Sequence, residues 1–141
     1  MIPRFRAWDK IHKTMYEVDD IMSIDFEEKE ICVQTIYFEQ GLPDSRDLDY
    51  YGFDDIVLMQ STGLRDKNDK EIFEGDILKV TNLSSWLEVV SFNEDKAMFV
   101  SKELKREIEE TPLYDLFNTD IFEIEIIGNI YTNPELAEVS S

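Results

Sequence analysis

Apolar and polar residues alternate with a period of two through most of this chain, in short segments that polar turns separate. Successive side chains of a β-strand point to opposite faces, so this period predicts strands that pack on one face. Strands that recur every ~8–12 residues are typical of a small antiparallel barrel or sandwich. The strand signals cover residues 2–8, 15–18, 21–26, 31–38, 56–59, 72–73, 77–80, 86–92, 97–100 and 121–127.

Two segments depart from this alternation. Residues 41–52 are polar and include Pro43, which predicts a long loop that is either mobile or functional. Residues 102–110 predict the one clear helix, since Leu104 and Ile108 lie four residues apart and would share a helical face. The expected fold class is therefore mainly β with a small α content.

Turn residues predict where several of these segments end. Thr62 and Gly63 are expected to end the strand that begins at residue 56. Residues 66–70 predict a compact turn whose side chains bond their own backbone. Asn133 and Pro134 are a predicted cap and first residue for a short final turn, after which residues 137–141 are expected to fray.

Composition restricts the function classes. The chain has 14 Lys and Arg residues and 32 Asp and Glu residues, which gives a net charge of -18. Because this charge repels phosphate backbones, it argues against generic nucleic-acid binding. One cysteine allows no intramolecular disulfide, and no apolar run is long enough to span a bilayer. Without a recognisable signal peptide, the expected location is the cytoplasm, with no membrane partner.

No pattern predicts catalysis, a cofactor or a metal. His12 lies in a polar turn, and Cys32 lies in an apolar strand where a small buried hydrophobe is expected. A single His and a single Cys cannot form the common zinc sites. Residues 66–71 begin like a calcium loop but place Lys70 and Glu71 where a ligand and a glycine are needed. We therefore expect a protein that is not an enzyme.

One region combines basic and aromatic residues. Arg4, Arg6 and Trp8 lie close together in the first predicted strand, and single-stranded nucleic acids bind to such combinations of cations and aromatic rings. A solvated strand face paired with neighbouring acids is the alternative interpretation of the same residues. These three residues are therefore a speculative binding site.

Three segments together resemble a known family. They are IPRFRAWD at residues 2–9, with Met15 downstream, LMQSTGLRDKNDKEIFEGDI at residues 58–77, and IIGNIYTNPEL at residues 126–136. In this order and spacing they resemble the YopX-like family of small phage and prophage proteins, over residues 2 to 136. One departure is Asp69, where the family pattern leads us to expect glycine.

The resemblance implies a mainly β fold with an SH3-like barrel over residues 63–133. An N-terminal β region over residues 1–62 would pack on that barrel, and residues 134–141 would form a C-terminal turn and tail. It also implies a bacterial host cell and no established activity. The motif residues that we expect to maintain the fold, by bending or capping turns, are Gly63, Asp66, Gly75, Asp76 and Gly128.

Two functional hypotheses follow. The first is a non-enzymatic module that binds an unknown protein partner, and in a sharper form its acidic face mimics nucleic acid. The alternative is a nucleic-acid-associated accessory protein that uses Arg4, Arg6 and Trp8. Homo-oligomerisation is left open, because open sheet edges favour it and the net charge opposes it.

Overall fold

The computed structural model describes residues 2–138, which divide into an N-terminal unit (residues 2–59) and a C-terminal unit (residues 60–138). Strands make up 56% of the chain and helices 10%, and one sheet curls into a half-barrel. The predicted mainly β fold class is confirmed, whereas the relation to SH3-like barrels stays a prediction. Met1 and residues 139–141, where part of the predicted frayed tail falls, lie outside the described residues.

The N-terminal unit contains five strands and the start of a sixth. In it, β1 lies between β2 and the start of β6, and a separate antiparallel sheet has the order β3-β4-β5. Short 3-10 turns at Val18–Asp20 and Phe53–Asp55 connect the strands. The strands are β1 Phe5–Asp9, β2 Thr14–Tyr16, β3 Ile21–Asp25, β4 Glu30–Glu39, β5 Leu42–Gly52 and β6 Ile56–Arg65.

The core of the N-terminal unit is small. Ala7, Ile31, Val33 and Ile56 are buried, and half-buried aromatic and aliphatic side chains surround them. These four residues come from β1, β4 and β6, each of which contains a segment that the sequence predicted to be a strand, although the short apolar run at residues 56–59 shows no period of two. Consecutive residues are buried in β1 (residues 6–9) and β4 (residues 31–33), so both faces of these two strands are covered at this point.

The prediction of a loop over residues 41–52 is wrong. These residues form β5, which pairs with β4 from Glu30↔Gly52 to Glu39↔Leu42 around a two-residue turn. Gln40 and Gly41 both have positive φ (53° and 79°), as tight hairpin turns require. The strand escaped detection because every residue from 42 to 50 is exposed, so no buried face imposed an apolar alternation.

The C-terminal unit holds a five-stranded antiparallel sheet of order β11-β10-β9-β8-β12, while β7 pairs with the end of β6. A 3-10 turn at Leu113–Leu116 buries two leucines in the core beside Leu78, Val80 and Val90. The elements are β7 Glu71–Phe73, β8 Asp76–Asn82, β9 Ser84–Asn93, β10 Met98–Glu103, β11 Thr111–Pro112, β12 Glu123–Asn129 and the helix α1 Pro134–Ala137.

The predicted helix over residues 102–110 is also wrong. Lys102 and Glu103 belong to β10 and pair with Val89 and Glu88 of β9. The N–H of Leu104 then donates to a carbonyl of β9 (3.0 Å) instead of entering a helical turn. A short segment forms a marginally stable helix at best, so the hydrogen bonds with β9 determine its conformation.

Two turn predictions need smaller corrections. Strand β6 does not end at Gly63 but continues to Arg65, because a bulge with Gly63 at a φ of 79° absorbs the change in register. Asn133 does precede α1, but its side chain does not cap the helix. Its Oδ1 accepts the N–H of Asn129 instead (3.2 Å).

No helix in the described part of the chain is long and apolar enough to cross a membrane.

Asp69 gives a test of turn strain. Its φ of 64° lies in the left-handed region, which costs most side chains ~1–2 kcal/mol and costs glycine nothing. The ion pair of Asp69 with Arg65 is long (3.9 Å) and exposed, so its loss matters little. We expect Asp69→Gly to raise the free energy of unfolding by up to ~1 kcal/mol in urea titrations. Asp69→Val should lower it, and Asp95→Gly, in a turn outside the left-handed region, should bring no gain.

Candidate functional site

Asp66 organises the turn in the middle of the family-like motif. Its Oδ1 accepts the N–H groups of Asn68 and Lys70 (both 2.9 Å), and its Oδ2 accepts the N–H of Ile126 from β12 (2.9 Å). Burial by itself raises the pKa of this carboxyl, but the three backbone donors outweigh it and hold the pKa below its usual value. Asp66 therefore bonds both to the backbone of its own turn and to a strand residue 60 positions away.

The same turn covers the free edge of β12. The N–H of Lys67 donates to the carbonyl of Ile124 (2.8 Å), and the ammonium of Lys67 lies 3.4 Å from Glu123 and 3.1 Å from Glu125. Glu125 contributes most to raising the pKa of Lys67. The two glutamates share a strand face, as their spacing predicted, and serve as partners of a turn lysine.

The other motif residues also shape the backbone. Gly75, at a φ of 86°, donates its N–H to Val90 and accepts the N–H of Ile130 (2.8 and 2.9 Å). Asp76 is buried and accepts the N–H of Phe73 (2.8 Å). A Cβ on Gly128 would lie 2.5 Å from Asn133 Oδ1, so a larger residue there would force the Asn133 side chain to move.

Of the three predicted nucleic-acid-binding residues, Arg6 and Trp8 lie within β1 and Arg4 precedes it. Arg6 and Trp8 are 7% and 9% exposed, whereas Arg4 is exposed. A stacking platform needs an accessible ring face, and that of Trp8 is covered. The three residues are close in sequence but do not form a continuous exposed surface.

A polar cluster that sequence reasoning missed surrounds Asp9, whose side chain is fully buried. Its Oδ1 accepts the N–H groups of Ile11 and His12 (2.9 and 3.0 Å). Its Oδ2 lies 2.8 Å from His12 Nδ1 and 3.3 Å from the hydroxyl of Tyr16. Burial pushes the pKa of Asp9 upward, but the bonds from His12 and Ile11 outweigh it and the net pKa is lowered.

The cluster extends to β5 through Tyr51. The Tyr51 hydroxyl lies 3.5 Å from both His12 Nδ1 and the Tyr16 hydroxyl, and the rings of Tyr16 and Tyr51 stack at 6.0 Å. Burial is the main cause that raises the pKa of Tyr16. His12 thus has an orienting acid, and its described ring partners are the side chains of Asp9 and Tyr51.

The described residues contain no group of three or more His, Cys, Asp or Glu side chains that could hold a metal ion. Cys32 is a free, buried thiol, as its apolar strand predicted. Besides turn acceptors and surface charges, the acids of this chain include Glu88, which is buried and accepts hydrogen bonds from Trp86 Nε1 and Ser101 Oγ (both 2.8 Å).

The candidate binding surface is the outer part of the β4–β5 hairpin, here called the distal ribbon (residues 34–48). Strand β3 pairs with β4 only as far as Val33, so beyond this point β4 has β5 as its one neighbour in the sheet. From Thr35 to Leu48 every residue is exposed. Two strands without a covered face are marginally stable in water by themselves.

The distal ribbon combines apolar and acidic side chains. Tyr37 donates its hydroxyl to Asp47 (3.0 Å), and Arg46 reaches Gln34 (3.2 Å). Its charged side chains are three carboxylates and one guanidinium. Its exposed apolar side chains are Ile36 (40%), Tyr37 (49%), Phe38 (65%), Leu42 (69%) and Leu48 (44%).

The pair Gln40–Gly41 was the one sequence signal that could have revealed this surface. Glycine at the second position of a two-residue turn, after a strand rich in β-branched residues, is typical of a hairpin.

One protein family and two solved structures match nearly the whole chain. The family described as YopX protein matches residues 4–138. The crystal structure of protein EF1440 from Enterococcus faecalis is similar, with 27% sequence identity, a TM-score of 0.62 and coverage of 98% of this chain and 99% of that one. Protein yopX from Bacillus subtilis shares the fold, with 19% identity, a TM-score of 0.61 and 98% of both chains covered. Among curated proteins none matches this chain.

Asp66→Asn should lower the free energy of unfolding by ~1–3 kcal/mol, because its amide group would face a buried backbone donor. Asp69→Asn, in the same turn but exposed, is the matched control and should change little. Since the folded-state pKa of Asp66 is lowered, its stabilisation is present above the unfolded value of about 4 and is lost as the pH falls through the folded pKa. The free energy of unfolding of Asp66→Asn should therefore depend less on pH in the acidic range than that of the unmodified chain. Parallel pH profiles of the two proteins would contradict the assignment.

Asp9→Asn should destabilise the protein more than His12→Ala does, because Asp9 accepts four hydrogen bonds while buried and His12 is 59% exposed. A loss of ~2–3 kcal/mol is expected for Asp9→Asn in denaturant titrations. Asp25→Asn is the matched control, since Asp25 accepts two backbone N–H groups in an exposed turn where water can replace it. If Asp25→Asn lowered the free energy of unfolding as much as Asp9→Asn, burial of the carboxylate would not be the cause of the loss. If His12→Ala lowered it as much, the ranking of Asp9 above His12 would be wrong.

Proposed function

This chain belongs to the YopX protein family, and we propose that it acts as a non-enzymatic protein-binding module whose binding surface is the distal ribbon. The observation that carries this proposal is the exposure of the ribbon on both faces together with its five exposed apolar side chains. Exposed apolar surface gathered in one place is typical of interaction sites.

The free energy available at the ribbon favours a bound state. Burying an exposed Leu, Ile or Phe side chain contributes ~1.5–3 kcal/mol, and a partner that covers one ribbon face would bury two or three of them. The backbone of the ribbon would also gain a third neighbour, which a marginal two-stranded structure lacks. Binding and ordering of the ribbon would therefore support each other.

The charge of the chain selects a basic partner. The net charge of the whole chain is -18. Within the distal ribbon, Glu39, Asp44 and Asp47 outnumber the single cation Arg46. Another copy of this chain would bring carboxylates against carboxylates, whereas a basic surface would be attracted and steered. We therefore propose a basic protein of a bacterial cell or of a phage as the partner, met in the cytoplasm, in keeping with a phage or prophage origin.

The alternative function as a nucleic-acid accessory protein stays a prediction from the sequence. No contact favours it, because Trp8 and Arg6 are buried within β1. The absence of enzymatic activity likewise stays a prediction, and the Asp9–His12 pair is the place where an assay for general-base catalysis would begin.

A photo-crosslinking experiment tests the proposal. The full chain carries a photoreactive phenylalanine analogue at position 38, in the ribbon, or at position 83, where Leu83 is exposed in the C-terminal unit. In a bacterial lysate we expect the first probe to label a discrete basic protein and the second to leave it unlabelled. The labelled protein is identified by mass spectrometry, purified and titrated with the chain.

The double variant Ile36→Ser and Leu42→Ser should weaken that titrated interaction by about tenfold to a hundredfold, the effect expected of two apolar contacts. Leu83→Ser is the matched control and should bind like the unmodified chain. Equal labelling from both positions, or labelling of the chain itself alone, would contradict the proposal.

A further inference from the structure

We infer that the partner binds as an extended strand added to the outer edge of β5, and that this strand alternates basic and apolar residues. The inference rests on the proposed function, because it specifies how the ribbon would bind its partner. It starts from the edges of the sheets, where unpaired N–H and C=O groups can accept another chain.

Within residues 2–138, β5 presents the longest open edge. The edge strands β2, β7 and β11 span three, three and two residues, and β3 spans five. Strand β12 spans seven residues, but the Asp66 turn bonds to its edge at Ile124 and Ile126. Strand β5 spans eleven residues and pairs with β4 alone.

Most of this edge has no proline, lysine or bulge that would block pairing, and its charged residues are aspartates and one arginine. Natural edges are protected by proline, lysine, bulges or very short strands. In β5 the one proline, Pro43, lies beside the turn, and the bulge between Tyr37 and Phe38 lies in the same place. Asp44 is the extra residue of that bulge, and from Ser45 to Gly52 there is no proline, no lysine and no irregularity in the register.

The side chains of β5 define what an added strand must carry. By register, Asp47 and Asp49 share one face with Thr35 and Val33. Neighbouring strands place paired side chains on the same face, so an added strand would set every second residue beside these carboxylates. Cations fit that face.

The opposite face of β5 carries Leu48 and Tyr50, which are 44% and 64% exposed. The residues of the added strand that lie between the cations would pack here, and apolar side chains fit. Basic and apolar residues in strict alternation are thus the complement of β5. A second copy of β5 would instead oppose its own aspartates, so the carboxylates select against self-pairing.

Three synthetic peptides test strand addition on the full chain. The first alternates as Lys-Val-Lys-Ile-Lys-Val. The second has the same composition in blocks, Lys-Lys-Lys-Val-Ile-Val, and the third is the alternating peptide with N-methyl groups on every second amide. All three carry the same charge, so differences between them do not arise from general attraction to an acidic protein. Binding is measured by fluorescence anisotropy at low and moderate salt.

The alternating peptide should bind about tenfold more tightly than either control, and it should slow amide hydrogen exchange in residues 44–52 but not in β12. The chain variant Asp47→Lys with Asp49→Lys should lose this preference. Asp54→Lys with Asp55→Lys makes the same charge change in an exposed turn of the same unit and should retain it. Equal binding of the three peptides, or no protection in residues 44–52, would overturn strand addition.

The two proposals can fail separately. If the crosslinked partner depends on Ile36 and Leu42 while N-methylation has no effect, the ribbon binds through side chains and strand addition is wrong. If the ribbon variants bind that partner as the unmodified chain does, the proposed function itself is wrong. Light scattering that shows self-association with protected β5 amides in the absence of peptide would also overturn the inference, because a second copy would then occupy the edge.

Discussion

Every backbone N–H group that leaves water must find an acceptor, and in this protein buried aspartates supply acceptors where no strand can. Asp9 closes the turn between β1 and β2, Asp66 closes the turn after β6, and Asp76 accepts the N–H of Phe73. All three carboxylates are buried, and in Asp9 and Asp66 the hydrogen bonds outweigh the effect of burial and hold the pKa below its usual value. The short strands can then end inside the protein without leaving unpaired donors.

Asp66 has the widest structural effect of the three. It fixes its own turn, and through Ile126 it ties that turn to β12, so the edge of the five-stranded sheet is covered. The edge of β5 differs, because no turn in the described chain bonds to it as the Asp66 turn bonds to β12. The edge of β12 is covered, whereas the longer edge of β5 is open and can accept another strand.

The acidity of the chain has two separate physical roles. A minority of its carboxylates are internal acceptors, with hydrogen bonds from the backbone or, for Glu88, from the side chains of Trp86 and Ser101, and substituting them should lower the free energy of unfolding. The others lie on the surface, where on β5 they repel a second copy and attract cations. Substituting these should change association and leave the free energy of unfolding nearly unchanged.

The sequence by itself determined the mainly β class, the hairpin of β9 and β10 and the compact turn at Asp66, because alternation and turn chemistry act between near neighbours. Only the tertiary structure decided that residues 41–52 form a strand and that residues 102–110 do not form a helix. In both cases a paired strand supplied hydrogen bonds that local propensity does not report. It also decided the role of His12, since the burial of Asp9 and the approach of Tyr51 depend on the packing of distant segments.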